Sequence, residues 1–245
     1  MVEIAVIRNI LGQARENGLI IEQKTWRRDL PPPTKVHSNW ESYYETFRGV
    51  ELEGLPNVFK KIRDSHPNEQ IAALDIMGNG DAYRSLPKEL RPNHIFALTL
   101  IDDRTPEQIT EDEDNGIHII KGNVALPSTW RKLAKRMHEV NVAAFNHAFA
   151  RPLNGIYSIP EADWLIWYIG QNVYNLLNRN GGIFLTEMPK FIDIFSWAAK
   201  AREQNLDIKA AMIGPGEDKT NFLPPRPIAK IVRRLQSPTT LPAEV

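Results

Sequence analysis

The chain has 245 residues, of which 42% are hydrophobic and 24% charged, and its 30 basic and 30 acidic residues cancel to a formal net charge of zero. This composition is ordinary for a globular protein with one domain and an extension, or with two small domains. A neutral chain gives no indication of a nucleic-acid or anionic-membrane partner. The absence of cysteine excludes disulfides, thiolate metal sites and cysteine nucleophiles.

The N-terminal stretch carries charges at Glu3 and Arg8, and no apolar run approaches the length that spans a membrane. We therefore expect a cytoplasmic protein without a membrane segment. The histidines are scattered and form no His-x-x-x-His pair, so no metal site is predicted.

Residues 1–37 are predicted to form a lead-in arm that contains the stiff spacer Pro31–Pro33. A first helix is expected from Ser38, because Ser38–Glu41 has the Ser-x-x-Glu form of a capping box. A second helical piece is expected from Leu55 to about Arg63. The aromatic residues of the first helix either cover the edge of a sheet or wall a ligand pocket: Tyr43, Tyr44 and Phe47. Trp40, Tyr43 and Tyr44 could form a lid over a bound ligand.

From Gln70 onward, apolar strand patterns alternate with helical patterns. The predicted strands are Ile71–Met77, Ile95–Ile101, Ile117–Lys121, Val140–Asn146, Gly182–Glu187, Ile208–Ile213 and Ile228–Leu235. Three helices are expected in this region. The first begins at Pro127, the second follows a capping box at Ser158–Glu161, and the third begins at Pro189. The segment between the last two strands has no helical periodicity, so these strands should form an antiparallel hairpin.

Alternating strands and helices predict an α/β fold of three layers, with a doubly wound, mostly parallel sheet of seven strands and a C-terminal antiparallel hairpin. The domain is expected to span residues 38–236, including its N-terminal helical cover. Residues 237–245 are expected to be a flexible tail.

The stretch Ile71–Ala82 is an apolar strand that reaches Asp75 and then two closely spaced glycines, Gly78 and Gly80. Taken alone, this pattern fits an ordinary turn as well as a loop that approaches a ligand. Ligands of open α/β sheets bind outside the carboxyl ends of the strands. Six residues are expected around that crevice: Asp75, Gly78, Gly80, Asp102, Asn123 and Asn146. The acids could instead cap the following helices, and Asp103 is the alternative to Asp102.

Five segments in order resemble motifs of the Rossmann-like S-adenosylmethionine-dependent methyltransferases. Leu74–Ala82 resembles the first motif, an acid followed by a glycine-rich loop, and Leu100–Asp103 resembles the element with the ribose-binding acid. Lys121–Val124 resembles the element that faces the adenine, and Phe145–His147 the position that meets the methyl acceptor. Asn180–Leu185 resembles the Gly-Gly turn into the fifth strand.

This resemblance implies S-adenosylmethionine as the cofactor and a set of cofactor-binding residues: Asp75, Gly78, Gly80, Asp102, Asn123, Val124 and Asn146. His147 and Glu187 are the candidates for a catalytic base, and no catalytic residue is assigned. The sequence departs from the family pattern at three places. Both Ile76 and Met77 stand between the acid and the first glycine instead of one residue, Ala82 replaces the third glycine, and Asn123 replaces an acid.

The resemblance implies methyl transfer, and a small-molecule acceptor is the favoured substrate class. Acceptors in RNA or protein, and a non-catalytic binding or scaffold role, remain alternatives. A nicotinamide-dependent oxidoreductase is a third possibility, which the missing Gly-x-Gly-x-x-Gly disfavours. The Asn-Pro-Pro-aromatic signature of amine and base-nitrogen methylation is missing, because Asn146 is followed by His147, Ala148 and Phe149. The sequence gives no indication of the oligomeric state.

Overall fold

The computed structural model describes residues 40–100, 102–150, 162–213 and 226–242. Its strands are β1 (Ala72–Ile76), β2 (His94–Thr99), β3 (Ile117–Lys121), β4 (His147–Ala150), β5 (Gly182–Glu187), β6 (Asp207–Ile213) and β7 (Arg226–Arg233). They form one sheet in the order β3-β2-β1-β4-β5-β7-β6. Strands β1 to β5 pair in parallel, whereas β7 runs antiparallel to both β5 and β6. The predicted doubly wound sheet with an antiparallel hairpin is confirmed.

The described helices are α1 (Trp40–Phe47), α2 (Leu55–Ser65), α3 (Asp81–Arg84), α4 (Pro106–Asp114), α5 (Pro127–Glu139), α6 (Ala162–Leu176) and α7 (Ile194–Glu203), with a 3-10 turn at Lys88–Leu90. One face of the sheet packs against α5, α6 and α7, and the other against α1, α2 and α3. Helix α5 shows why: Trp130, Leu133 and Met137 recur at helical spacing and are all buried. The result is the expected three-layer arrangement.

The fourth strand lies later in the chain than Val140–Asn146, where it was predicted. Helix α5 ends at Glu139, and Asn141 follows with a φ of 57°, which turns the chain away from an extended course. Phe145 makes only an isolated bridge to Leu177, so the run is an irregular connection to β4, in which Val142, Phe145 and Asn146 are buried and Asn141 and Ala143 are exposed. Periodicity cannot separate a connection with alternating burial from a half-buried strand, and the prediction was wrong for this reason.

The segment after Gln236 is docked on the domain over residues 237–242, which corrects the prediction of a flexible tail there. Leu241 is buried, and its backbone exchanges two hydrogen bonds with the side chain of Gln171 on α6. The indole Nε1 of Trp197 on α7 donates to the carbonyl oxygen of Pro242 at 3.0 Å. The tail therefore joins two helices of the same layer.

The capping boxes predicted at Ser38 and Ser158 lie outside the described residues, as do the lead-in arm and the end of the tail. The helix expected from Pro189 begins at Ile194, because the carboxylate of Asp193 accepts from the backbone N–H groups of Phe195 and Ser196. None of the helices in the described ranges has the length and hydrophobicity needed to cross a bilayer.

Candidate functional site

The loop after β1 combines two residues with left-handed backbone conformations. Met77 has a φ of 65° and Gly80 a φ of 76°. The backbone N–H of Met77 still donates to the carbonyl oxygen of Leu98 at 2.9 Å, so β1 remains paired up to the bend. Met77 stands two residues after Asp75, where the first glycine of the methyltransferase motif falls. The loop therefore contains a methionine in a conformation that glycine favours, directly before Gly78.

Asp75 holds this loop in place from below. Its side chain is buried, and Oδ2 accepts a hydrogen bond from the backbone N–H of Gly80 at 2.8 Å. A Cβ at Gly78 would lie only 2.1 Å from the same oxygen. Asp75 and Gly78 are thus packed against each other, and Asp75 acts on the shape of the loop.

Beside the loop lies a cleft of about 460 Å³ between α3, α4 and the ends of β2 and β3. Parallel strands β1 and β2 both end at this side of the sheet, next to the switch point between β1 and β4. The cleft is lined by five carboxylates (Asp81, Asp102, Asp103, Glu111 and Asp112) and by two guanidinium groups (Arg84 and Arg104). Five negative and two positive charges leave the lining with three net negative charges.

Four of these side chains form a continuous network. Arg104 binds both oxygens of Asp102, with Nε to Oδ1 and Nη2 to Oδ2 each at 2.8 Å, and Nη1 reaches Asp112 Oδ2 at 2.7 Å. Arg84 donates to both oxygens of Asp112 at 2.7 and 2.9 Å. Its Nε also reaches the carbonyl oxygen of Asn79 at 3.2 Å. The network therefore connects the loop after β1 with the loop after β2.

The network keeps its carboxylates ionised. The hydrogen bond from Arg104 lowers the pKa of Asp102. Burial acts to raise the pKa of Asp112, but the hydrogen bonds from Arg84 and Arg104 outweigh it, and the pKa falls below its usual value. Hydrogen bonding to Asp102 in turn raises the pKa of Arg104.

Asn123 and Val124 follow β3 at the same edge of the sheet, but neither is among the residues that line the cleft. The side-chain Oδ1 of Asn123 accepts from the backbone N–H of Ala125 at 2.9 Å, and its carbonyl oxygen accepts from Thr129. The carbonyl oxygen of Val124 accepts from the indole of Trp130 at 2.8 Å. Both residues build the turn into α5.

Asn146 lies at the opposite, amino-terminal edge of the sheet, which corrects its placement in the crevice. Its Oδ1 accepts from the backbone N–H of Ala72 at 3.0 Å, and its own N–H donates to the carbonyl oxygen of Ala72 at 2.8 Å. Its carbonyl oxygen accepts from Ile183. Asn146 thus ties β1 and β5 together where β4 begins, at the opposite end of the parallel strands from the cleft.

The two candidate bases are both fully buried. His147 is the first residue of β4, and its ring packs among Phe59, Tyr83 and Phe149. Burial lowers the pKa of His147 to about 3, so the imidazole is neutral. Glu187 ends β5, and its Oε1 accepts from Arg226 at 2.9 Å. Both candidate bases are thus buried in this structure, and His147 is neutral.

Tyr44 and Phe47 of α1 cover the sheet, and the ring of Phe47 stacks on that of Phe149. Tyr44 is buried with its ring edge against Phe149, and Trp40 makes an edge contact with Tyr44. Of the two alternatives for these aromatics, the structure shows the cover over the sheet for Tyr44. The side chain of Tyr43 lies outside the described residues.

Of the predicted cofactor residues, Asp102 alone lines the cleft, while Gly78 and Gly80 shape the loop whose Asn79 and Asp81 line it. The residues that sequence reasoning missed are Arg84, Arg104 and Asp112. Arg104 follows Asp102 by two positions, which is a usable local signal, because an arginine at that distance can fold back on the acid. The sequence contains no such local signal for Asp112, since only the path of α4 brings this residue to the cleft.

No protein-family model matches the chain, and no curated protein matches it in sequence. Among solved structures, the chain is similar to the MycE methyltransferase of the mycinamycin biosynthetic pathway, which was solved with Mg and SAH. The TM-score is 0.42 and the sequence identity 14%, and the match covers 84% of this chain and 51% of that one. It is also similar to the methyltransferase domain of bacterial CtHen1-C, with a TM-score of 0.42 and 12% identity over 74% of this chain and 98% of that one.

The chain spans about half the length of the mycinamycin enzyme. The mostly parallel sheet with a C-terminal antiparallel hairpin is the fold that the sequence resemblance implied, and the structure adds its strand order, β3-β2-β1-β4-β5-β7-β6. The chain therefore has the fold of the Rossmann-like methyltransferases.

Proposed function

We propose that the cleft binds S-adenosylmethionine and that the protein transfers its methyl group to a small-molecule acceptor. One observation carries this proposal. The loop Met77–Asp81 and the acids Asp102 and Asp103 follow neighbouring parallel strands and border the same cleft of about 460 Å³. That volume is within the range of small-molecule sites.

The chemistry of the lining fits this cofactor in two respects. Carboxylates accept hydrogen bonds from adjacent hydroxyl groups such as those of a ribose, and Asp102 and Asp103 are candidates for that role. The three net negative charges favour a ligand with a sulfonium and an ammonium group. The same charges disfavour the pyrophosphate of a nicotinamide dinucleotide, which argues against the oxidoreductase alternative.

The cofactor supplies a methyl carbon that is already activated for displacement by its sulfonium. The protein has to hold the donor and the acceptor in line and to exclude competing arrangements. Because His147 and Glu187 are buried, we assign no general base. An acceptor atom with a free lone pair at neutral pH needs none. The neutral chain supports a small molecule over a polyanionic acceptor such as RNA.

Isothermal titration with S-adenosylmethionine, S-adenosylhomocysteine and NADH tests the proposal. We expect binding of the first two and none of NADH. Asp103→Asn should weaken the binding of S-adenosylmethionine by roughly tenfold, because it removes one charged acceptor from the cleft. Asp64→Asn is the matched control, since Asp64 is exposed on α2 and does not line the cleft. Failure of both adenosyl compounds to bind at millimolar concentration would refute the proposal.

The second candidate function is a non-catalytic binding or scaffold role, and the Arg104–Asp102 pair favours it. Both oxygens of the predicted ribose-binding acid already accept from Arg104. Transfer of a labelled methyl group from S-adenosylmethionine to acceptors in a metabolite mixture separates the two functions. Turnover that depends on an intact cleft excludes the non-catalytic role.

A further inference from the structure

Arg104 occupies the carboxylate that a nucleoside in the cleft would use. We propose that Arg104 competes with the ligand for Asp102, so that the ligand binds only when Arg104 has moved away. The inference rests on the proposed function, because it takes the ligand to be an adenosyl compound. It makes Arg104 a residue that determines affinity, through Asp102.

The contact between the two side chains is strong enough to compete. Nε and Nη2 of Arg104 face Oδ1 and Oδ2 of Asp102 in a two-pronged arrangement, and the backbone N–H of Arg104 also reaches Oδ1 at 3.3 Å. Paired hydrogen bonds between opposite charges are the strong class of side-chain contact. The side chains of Arg104 and Asp102 are only 15% and 17% exposed, so water screens the pair incompletely.

The side chain of Arg104 can move away from Asp102 with little loss of contacts in the rest of the network. Arg104 gives a single hydrogen bond to Asp112, whereas Arg84 donates to both oxygens of that residue. Asp112 therefore keeps a two-pronged partner when Arg104 moves. Arg104 also lies before the Thr105 cap of α4, so its displacement leaves the helix and its capping box intact.

The competition has a definite consequence for affinity. When only a fraction of the protein has Asp102 accessible, the apparent dissociation constant rises by the inverse of that fraction. We therefore expect the removal of Arg104 to tighten ligand binding roughly fivefold, which corresponds to about 1 kcal/mol.

The test is titration of Arg104→Met with adenosine, which carries no charge. A neutral ligand separates loss of competition from a mere change in the charge of the cleft. Adenosine should bind Arg104→Met about fivefold more tightly than it binds the unaltered protein. Adenine, which has no ribose hydroxyl to meet Asp102, should bind both proteins equally. Arg104→Lys keeps the charge but loses the two-pronged contact, and its affinity should lie between.

The matched control is Arg136→Met. Arg136 on α5 pairs with Glu113, which lies next to Asp112 on α4, at 2.9 Å. Arg136 does not line the cleft. Its removal should leave adenosine binding unchanged. If thermal unfolding shows that Arg104→Met is not folded, Arg104→Gln takes its place with the same expected tightening.

Two results overturn the proposal in distinguishable ways. If the unaltered protein binds S-adenosylmethionine and adenosine binding is unchanged or weaker in the folded Arg104 variants, the competition is refuted and the proposed function stands. If S-adenosylmethionine, S-adenosylhomocysteine and adenosine all fail to bind every protein, the proposed function is refuted and the competition with it.

Discussion

The hydroxyl oxygen of Tyr83 lies 3.0 Å from Nδ1 of His147, and both side chains are fully buried. The same hydroxyl oxygen lies 3.2 Å from the carbonyl oxygen of Leu74. Because the hydroxyl has one hydrogen, it can donate to only one of these two groups at a time. A helix residue and two strands are thereby joined inside an aromatic cluster.

We expect His147 to make the protein less stable as the pH falls. Its pKa in the folded chain is about 3, below the ordinary value of 6.5, so between these limits the unfolded chain binds more protons. The free energy of unfolding should therefore fall as the pH drops from 6.5 toward 3, by up to about 1.4 kcal/mol per pH unit for this group. Urea unfolding across this range measures the slope.

His147→Gln should reduce that slope without abolishing it. His118 is also shifted by burial, to a pKa of about 4, and it contributes with the same sign. A slope unchanged by the substitution would mean that His147 takes up its proton in the folded chain as readily as in the unfolded one.

Tyr83→Phe should destabilise the fold by about 1–3 kcal/mol, because it leaves Nδ1 of His147 and the carbonyl oxygen of Leu74 without this partner. The aromatic contacts of the ring with Phe59 and Phe149 are retained. Urea unfolding at pH 7 measures the loss. Stability equal to that of the unaltered protein would show that the hydroxyl contributes nothing.

Gly78→Ala should displace the loop after β1, since its Cβ would lie 2.1 Å from Oδ2 of Asp75. We expect a loss of about 1–3 kcal/mol in the free energy of unfolding and a loss of ligand affinity. Gly170→Ala in α6 is the matched control, because its Cβ meets only Leu241 at 3.7 Å. That substitution should stabilise the protein by about 0.5–1 kcal/mol. Equal effects of the two substitutions would contradict the packing of Asp75 against the loop.

Arg233→Met should destabilise the protein by about 3 kcal/mol. Nη1 of Arg233 donates to the carbonyl oxygens of Tyr174, Asn175 and Leu177 at the end of α6, and Nη2 reaches Thr239 in the tail. The neighbouring Arg234→Met is the control, because Arg234 is about half exposed and pairs with Asp207 on the surface. Its loss should cost no more than about 1 kcal/mol. Chemical unfolding of both variants measures whether the loss of Arg233 lowers the free energy of unfolding more than the loss of Arg234 does.

The architecture was largely predictable because it rests on periodic patterns. The bounds of β3 and β5 were predicted to the residue, and β1 was predicted one residue too long at each end. A parallel strand between helices is apolar throughout, and glycines mark where it ends. The prediction of β4 at Val140–Asn146 was wrong, although Val142 and Asn146 are buried. Residues of a connection can be buried by packing as well, and an alternating pattern does not show which of the two is present.

The site was less predictable, because its residues meet only in three dimensions. The sequence pointed to Asp102, but the partner that occupies Asp102 depends on how the chain turns before α4. Asp112 belongs to the cleft through the direction of that helix. The docked tail shows the same limit: its prolines and threonines are typical of a frayed end, yet Gln171 and Trp197 bind its backbone.

The acidic lining of the cleft also bears on how a catalytic cycle would end. Methyl transfer removes the positive charge of the sulfonium, so a bound donor becomes a product that carries one positive charge less. The three net negative charges around it then attract the product more weakly than they attracted the donor. In a protein that acts as we propose, the charges that line the cleft would by themselves favour exchange of S-adenosylhomocysteine for S-adenosylmethionine.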